Sequence, residues 1–272
     1  MQSNTGSLVC VGPGMTLGAH MPARCRSHIE HADVVFTNCH PIMERWLATM
    51  NKDTRSLQSL YADGKDRRVT YQEMVKLIMT EIRSGKSVVG AFYGHPGVFA
   101  QVPHAAIAQA RKEGFSAHME PGISAEDCLY ADMGIDPGAY GSQHFEASQL
   151  MMFERVVDTS AYLFLWQIAL AGDLTIAAKT SSAAQRQVLV SMLTEHYGYP
   201  EDHAVALYEC PTLITDKTRI EWIPLNCLPE ANLTLVTTLV VPPCKKLTKN
   251  TAILDKLHQL QQQQGSIHDK SN

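Results

Sequence analysis

Three short apolar runs in this chain each end at a turn built from glycine and proline. SLVCVG (7–12) runs into GPG, SVVGAFY (87–93) into GHPG, and FSAHME (115–120) into PGIS. A short run that is mostly apolar and closed by a turn predicts a buried strand. Between the runs the spacing is helical. Leu17, Met21, Cys25, His28, Ile29 and Ala32 recur at helical period, as do Met74, Leu77, Ile78 and Ile82. DVVFT (33–37) adds a strand, PIMERWLATM (41–50) a helix with Pro41 in its first turn, and SAEDCLYADM (124–133) a short helix. Thr70 and Glu73 predict a capping box for the helix over 70–85, and Gly85 a stop. A helical segment over 96–114 carries Pro103, where a kink is expected. The polar stretch 51–69 reads as irregular. Strand and helix in alternation predict an α/β layer with parallel strands.

GIDPGAYGSQ (134–143) is dense in turn residues and reads as an interdomain linker. Beyond it, HFEAS, YLFLWQIAL, AVALYEC and LTLVTTLVVPP read as strands and 183–198 as a helix. The expected division is an N-terminal α/β domain over 1–136, a second α/β domain with fewer helices over 137–245, and a tail over 246–272. In that tail Ile253, Leu254, Leu257 and Leu260 make an amphipathic helix, and QQQQGSIHDKSN is expected to be disordered.

A chain of 272 residues suffices for one large or two modest domains with a sizeable core. Its net charge of -4 gives no reason for a nucleic-acid partner. No apolar run reaches membrane-spanning length, and MQSNTGSLVCVGPG lacks the pattern of a secretory signal. The seven cysteines, Cys10, Cys25, Cys39, Cys128, Cys210, Cys227 and Cys244, include no CxxC pair. They predict a reduced, cytoplasmic protein, and no metal site is expected. The adjacent Cys39 and His40 read as packing.

The first glycine turn is not a dinucleotide fingerprint. That pattern needs a third glycine at position 17, where Leu17 stands, and no acidic residue closes the second strand. In open α/β sheets ligands bind beyond the carboxyl ends of strands, and glycine lets a ligand approach the backbone closely. The three turns therefore either line one cleft or are ordinary tight connections; spacing alone leaves both open.

Strand-GPG near the start, GxPxxF in the middle and PGISA soon after resemble the S-adenosylmethionine-dependent tetrapyrrole methylases. The resemblance spans roughly residues 7 to 243. It implies two α/β domains with the methyl donor in the cleft between them, and a homodimer. The middle motif departs from the family's usual GDP, with Gly94-His95-Pro96 in its place. YGHPGVF (93–99) instead resembles one branch, the borosin peptide-backbone α-N-methyltransferases. That branch carries a tyrosine, an arginine and a tyrosine at the spacing of Tyr61, Arg67 and Tyr71 here, in YADGKDRRVTY, and a tyrosine matching Tyr93.

The resemblance implies iterative methylation of backbone amides, with S-adenosylhomocysteine as product. An amide nitrogen is a poor nucleophile because its lone pair is delocalised into the carbonyl. Methylating it requires a proton acceptor and a stabiliser for the negative charge on the oxygen. Tyrosine has an ordinary pKa of about 10, which a nearby guanidinium lowers. Arg67 is the expected charge partner of Tyr61, with Tyr71 and Tyr93 as oxyanion donors, and these roles can permute among the phenols. Arg68 stands next to Arg67; the spacing favours Arg67. Pro13, Tyr93, His95, Val98, Phe99, Ser124 and Ala125 are the implied donor contacts from the first domain. Gln167, Tyr208, Thr238 and Leu239 are those from the second, each equally compatible with packing.

Some members of the branch carry their substrate as an apolar C-terminal extension. Here a glutamine tract stands instead, so a split system is expected, with a precursor peptide methylated in trans and possible assembly as a heterotetramer with two substrate chains. The competing expectation is C-methylation of a tetrapyrrole on the same fold.

Overall fold

Neighbouring residues of β1 (Ser7–Val11) point to opposite faces of the sheet, and both sets are buried. Leu8 and Cys10 enter one core, and Val9 and Val11 another. That is why the run is apolar rather than alternating. The computed structural model describes residues 5–62, 65–174 and 180–268. The turn expected at Asp63-Gly64 lies outside the described residues.

β1 sits in a five-stranded, all-parallel sheet with β2 (Val34–Asn38), β3 (Thr54–Ser56), β4 (Ser87–Phe92) and β5 (Ser116–Met119), in the order β3-β2-β4-β1-β5. β3 was not expected. It is a three-residue edge in the polar stretch, held to β2 by backbone pairing and not by apolar content. α1 (Ala23–His31) and α2 (Pro41–Leu47) cover one face of the sheet. α3 (Arg67–Arg83) and α4 (Gln101–Lys112) cover the other. Two local expectations are corrected. α3 starts three residues before Thr70, because the Asp66 carboxylate accepts from the Arg68 N–H at 2.8 Å and caps the helix there. Pro103 does not kink α4; it sits in the first turn, where its missing N–H has no helical partner to lose.

α5 (Ala125–Met133) and α6 (Pro137–Tyr140) lead to a second five-stranded sheet. It contains β6 (Ser142–Glu146), β7 (Tyr162–Trp166), β8 (Ala204–Glu209), β9 (Arg219–Pro224) and β10 (Thr238–Val241), in the order β6-β7-β10-β8-β9. Only β6 and β7 among them pair in parallel. α7 (Ala147–Met152) connects those two strands. α8 (Ala183–Ser191), continued by a π-helical turn over Met192–His196, covers the outer face. α9 (Thr251–His268) carries the helix through the glutamine tract, where disorder was expected. No described helix is long and apolar enough to cross a membrane.

The inner face of the second sheet presents Phe164, Trp166, Ala206, Tyr208 and Val240 to Met15, Cys128 and Leu129 of the first unit. The GPG loop is tied across as well, with Thr16 Oγ1 donating to the Pro211 carbonyl at 3.0 Å and Leu17 N–H to Thr212 at 2.9 Å. Strand alternation puts Leu239 on the opposite, outer face, fully buried in the core under α8. Leu239→Ala is expected to cost about 2–5 kcal/mol of stability, read by urea unfolding, with ligand affinity at the inner face unchanged. Weakened ligand binding at undiminished stability would show that the residue serves the inner face instead.

Candidate active site

The ends of β4, β1 and β5 are neighbours in the sheet, so the three glycine turns emerge side by side. They touch. Gly14 and Gly94 form an isolated β-bridge, with Gly14 N–H donating to Gly94 O at 3.3 Å and Gly94 N–H to Gly14 O at 3.1 Å. A Cβ on Gly12 would fall 2.2 Å from Gly94 O, and one on Gly122 would fall 2.4 Å from the same atom. The three turns are therefore one packed unit, which is the cleft alternative of the sequence reading.

Beside that unit lies a cavity of about 340 Å³. Of the expected site residues, Tyr61, Tyr71, Tyr93, His95, Val98, Phe99, Ser124, Ala125, Gln167 and Thr238 line it. Arg67 lies in an adjoining recess that shares Tyr71, Phe99, Gln101 and Gln167 with the cavity. Pro13, Tyr208 and Leu239 do not line it. Tyr208 is buried in the packing between the two sheets and donates to Asp132 Oδ2 at 2.8 Å. Leu239 faces away, and Pro13 is buried within the turn.

Arg67 and Tyr71 stand four residues apart in the first turns of α3, hence on one face. Tyr61 follows a short 3-10 turn (Gln58–Leu60), and its ring meets that of Tyr71 edge-on, with centroids 6.5 Å apart. Burial pushes the Tyr71 phenol above its usual range, and a neighbouring charge on Tyr61 pushes the same way; the Arg67 guanidinium pulls it down. The Arg67 charge thus acts on Tyr71, which neighbours Tyr61 as well. Tyr93 is raised to about 12, chiefly by burial, so its hydroxyl is a proton donor at neutral pH.

His95 Nδ1 accepts from the Gly97 N–H at 2.9 Å, which fixes the ring within its own turn. Ser124 caps α5 in a reciprocal box with Asp127, so its hydroxyl is already engaged. Phe99 (φ 48°) and Gln167 (φ 55°) hold left-handed backbone conformations that side chains rarely adopt, and both line the cavity.

Sequence reasoning missed Met15, Asn38, Glu126, Trp166, Leu235 and Val236, which also line the cavity. Trp166 had a signal. It shares strand phase with Phe164 and points to the inner face, where it packs against Phe99 at 5.6 Å between centroids.

The sequence profile of the family described as Tetrapyrrole (Corrin/Porphyrin) Methylases matches residues 7–214. The chain belongs to this family.

Its similarity to solved family structures is one of fold. A cobalt precorrin-4 methyltransferase superposes with a TM-score of 0.64 at 14% identity, covering 89% of this chain and 97% of that one. The uroporphyrin-III-C-methyltransferase of Thermus thermophilus gives 0.60 at 17% identity, covering 88% and 93%. The expected α/β fold of tetrapyrrole-methylase type is borne out.

Sequence likeness is higher to fungal borosin proteins, as the tyrosine and YGHPGVF motifs implied. The chain is 37% identical over 274 residues to the methyltransferase/ribosomally synthesized cyclic peptide dendrothelin A precursor of Dendrothele bispora, covering 99% of this chain and 65% of that protein. It is 36% identical over 277 residues to the corresponding omphalotin A precursor of Omphalotus olearius, again covering 99% and 65%. To a type III borosin cyclic peptide precursor of Anomoporia bombycina it is 37% identical over 243 residues, covering 88% of this chain and 28% of that protein. The chain thus spans less than two thirds of the length of these relatives.

The fold implies S-adenosylmethionine as the ligand of the cleft, and the residues present fit it. The cavity has the volume of a small-molecule site. Its wall is mixed: Met15, Phe99, Trp166 and Val236 supply apolar and aromatic surface, and Asn38, His95, Ser124, Glu126, Gln167 and Thr238 bring polar groups to it. Aromatic faces attract a cation, which suits a sulfonium. Gly94 (φ 69°) and Met15 meet in this wall, where an added Cβ on the glycine would lie 3.1 Å from Met15 Sδ.

Proposed function

We propose that this chain is an S-adenosylmethionine-dependent methyltransferase acting on backbone amide nitrogens of a peptide. The observation that carries the reading is the meeting of three phenols, Tyr61, Tyr71 and Tyr93, at one cavity, with Arg67 adjoining Tyr71. His95, Val98, Phe99, Ser124, Ala125, Gln167 and Thr238, with Met15 and Trp166, would hold the donor. When bound, S-adenosylmethionine supplies an electrophilic methyl group.

The remaining chemistry belongs to the chain. A phenolate oxygen of the Tyr61–Tyr71 pair, with the Arg67 charge beside Tyr71, accepts the amide proton. The negative charge that develops on the amide oxygen is met by the Tyr93 Oη–H, a donor held in place before the reaction.

The acceptor in this reading is a separate precursor peptide. Residues Thr251–His268 are helical, so most of their amide N–H groups are engaged in the helix and do not present themselves for methylation. Leu235 and Val236 line the cavity while remaining well exposed, and offer an extended peptide apolar footing at its mouth. Incubating the chain with S-adenosylmethionine and candidate precursor peptides, then sequencing fragments by mass spectrometry, should place several methyl groups on peptide backbone nitrogens. Methylation of 251–268 instead would overturn the separate-acceptor reading, and a small-molecule product would overturn the peptide reading.

A homodimer is proposed as well. It is supported by exposed apolar residues around β9, namely Ile214, Ile220 and Trp222, and by Ile253, Leu257 and Leu260 on α9. Sedimentation equilibrium should give twice the 30.0 kDa chain mass, and a monomer at working concentration would remove the proposal.

A further inference from the structure

On the face of the first sheet that packs against α1, opposite the face that holds Tyr71, β5 and the residue that follows it present two potential ligands two residues apart. His118 pairs with Val9, whose side chain belongs to the core under α1, so His118 points to that face as well. Glu120 continues the same phase, with its N–H bonded to Cys10 O at 2.9 Å and its carboxylate largely buried. His28 descends onto the pair from α1. Glu120 Oε1 lies 3.1 Å from His118 Nε2 and 3.5 Å from His28 Nε2. One ligand atom from each of the three residues lies within 4.8 Å of the other two, and the imidazole rings stand 5.7 Å apart at 71°.

These separations match the coordination of a small transition cation. Zinc bonds of about 2.0–2.1 Å at a tetrahedral angle place donor atoms roughly 3.3 Å apart. A second observation is independent of the spacing. Among the described residues His28 Nε2 is buried and makes no hydrogen bond, Glu120 Oε1 standing off at 3.5 Å. A buried ring nitrogen without a hydrogen bond carries a desolvation cost that a metal bond would remove.

We propose that His28, His118 and Glu120 bind a divalent transition cation, zinc fitting best, with water completing the coordination. Two imidazoles and a carboxylate select such ions over magnesium or calcium, which prefer all-oxygen sites. Among the described residues the competing cation is Arg24, whose Nε lies 3.0 Å from Glu120 Oε1. Its side chain is 75% exposed, so it can withdraw to solvent when the ion enters. The ion would pin α1 to the end of β5, immediately before the PGIS turn that lines the cleft. Cys25 of α1 already contacts that turn, with its Sγ donating to Pro121 O at 3.4 Å. The role is structural and independent of the reaction proposed above.

The test uses the full chain stripped with a chelator and titrated with Co²⁺, whose visible d–d bands report ligand type. One equivalent should bind per chain, without a thiolate-to-cobalt charge-transfer band, and excess Zn²⁺ should raise the melting temperature. Glu120→Gln and His118→Ala should each weaken binding by more than ~100-fold, beyond what loss of an outer-shell partner brings, and abolish the rise in melting temperature. Arg24→Ala should tighten binding, because the competing guanidinium is gone. Absence of saturable binding, binding that survives both ligand variants, or a thiolate band that disappears on cysteine replacement would each overturn the site. In those cases the cluster is an ion-pair network alone.

Discussion

Arg67→Ala is expected to lower kcat for methyl transfer by roughly 10²–10³-fold at pH 8, the usual loss when one preorganised charge or donor is removed. Affinity for S-adenosylhomocysteine should stay near wild type, since Arg67 stands in the recess behind Tyr71 rather than in the cavity itself. The pH profile gives the sharper reading. Burial holds the Tyr71 phenol above its usual range, so its proton-accepting form is scarce at neutral pH and activity should climb toward alkaline pH. Arg67 is the influence that lowers it, so its removal should move the ascending limb further up. The deficit should therefore narrow as pH rises through the variant's own limb. Tyr71→Phe should be slow at every pH, because no phenolate can form there. If the Arg67→Ala deficit is flat with pH while Tyr71→Phe stays fully active, the tyrosine–arginine set has another purpose.

The second large effect concerns Gly12→Ala. The backbone there has no left-handed requirement, so the demand is for space: the new methyl would lie 2.2 Å from Gly94 O, 2.8 Å from Pro96 Cδ and 2.9 Å from Gly122 Cα. Each of these neighbours belongs to a turn whose backbone cannot yield independently. A loss of about 3 kcal/mol, at the upper end for overpacking, is expected by urea unfolding, together with loss of donor binding by calorimetry. Gly134→Ala is the matched control. Gly134 has φ 64° with nothing among the described residues within 4 Å of an added methyl, so only its conformational cost of about 1–2 kcal/mol should appear, with the cleft intact. Equal losses in the two variants would mean that the contact among the three turns contributes nothing beyond ordinary backbone strain.

Those three turns were legible because each signal was local and redundant. An apolar run, a glycine and a proline recur at β1, β4 and β5, and parallel strands of one sheet bring their ends to one edge. Tyr61, Arg67 and Tyr71 were legible as a set but not as a geometry. Arg67 acts on Tyr71 because α3 begins at Arg67, and that start depends on Asp66 winning the cap over Thr70. The second sheet was harder. YLFLWQIAL looked like one long strand, yet β7 stops at Trp166 because Gln167 turns left-handed, which no glycine announces. β9 was missed because RIEWIP is an edge strand with exposed, mixed residues and carries no apolar run. The misplacement of Leu239 came from strand phase. Thr238 and Leu239 are adjacent in LVTTLVV, and only the pairing of β10 between β7 and β8 decides which of them looks inward. The His28, His118 and Glu120 cluster was invisible, because its members come from a helix and a strand more than eighty residues apart.

Phe99 and Gln167 sit in conformations that glycine would adopt with less strain, one on each side of the same cavity. Replacing either by glycine relieves strain and also deletes a wall of the cleft. A directed-evolution campaign that rewards melting temperature alone would therefore tend to erase both side chains. Its thermostable products would be selected away from ligand capture, so such a screen on this scaffold needs binding or turnover as a second criterion.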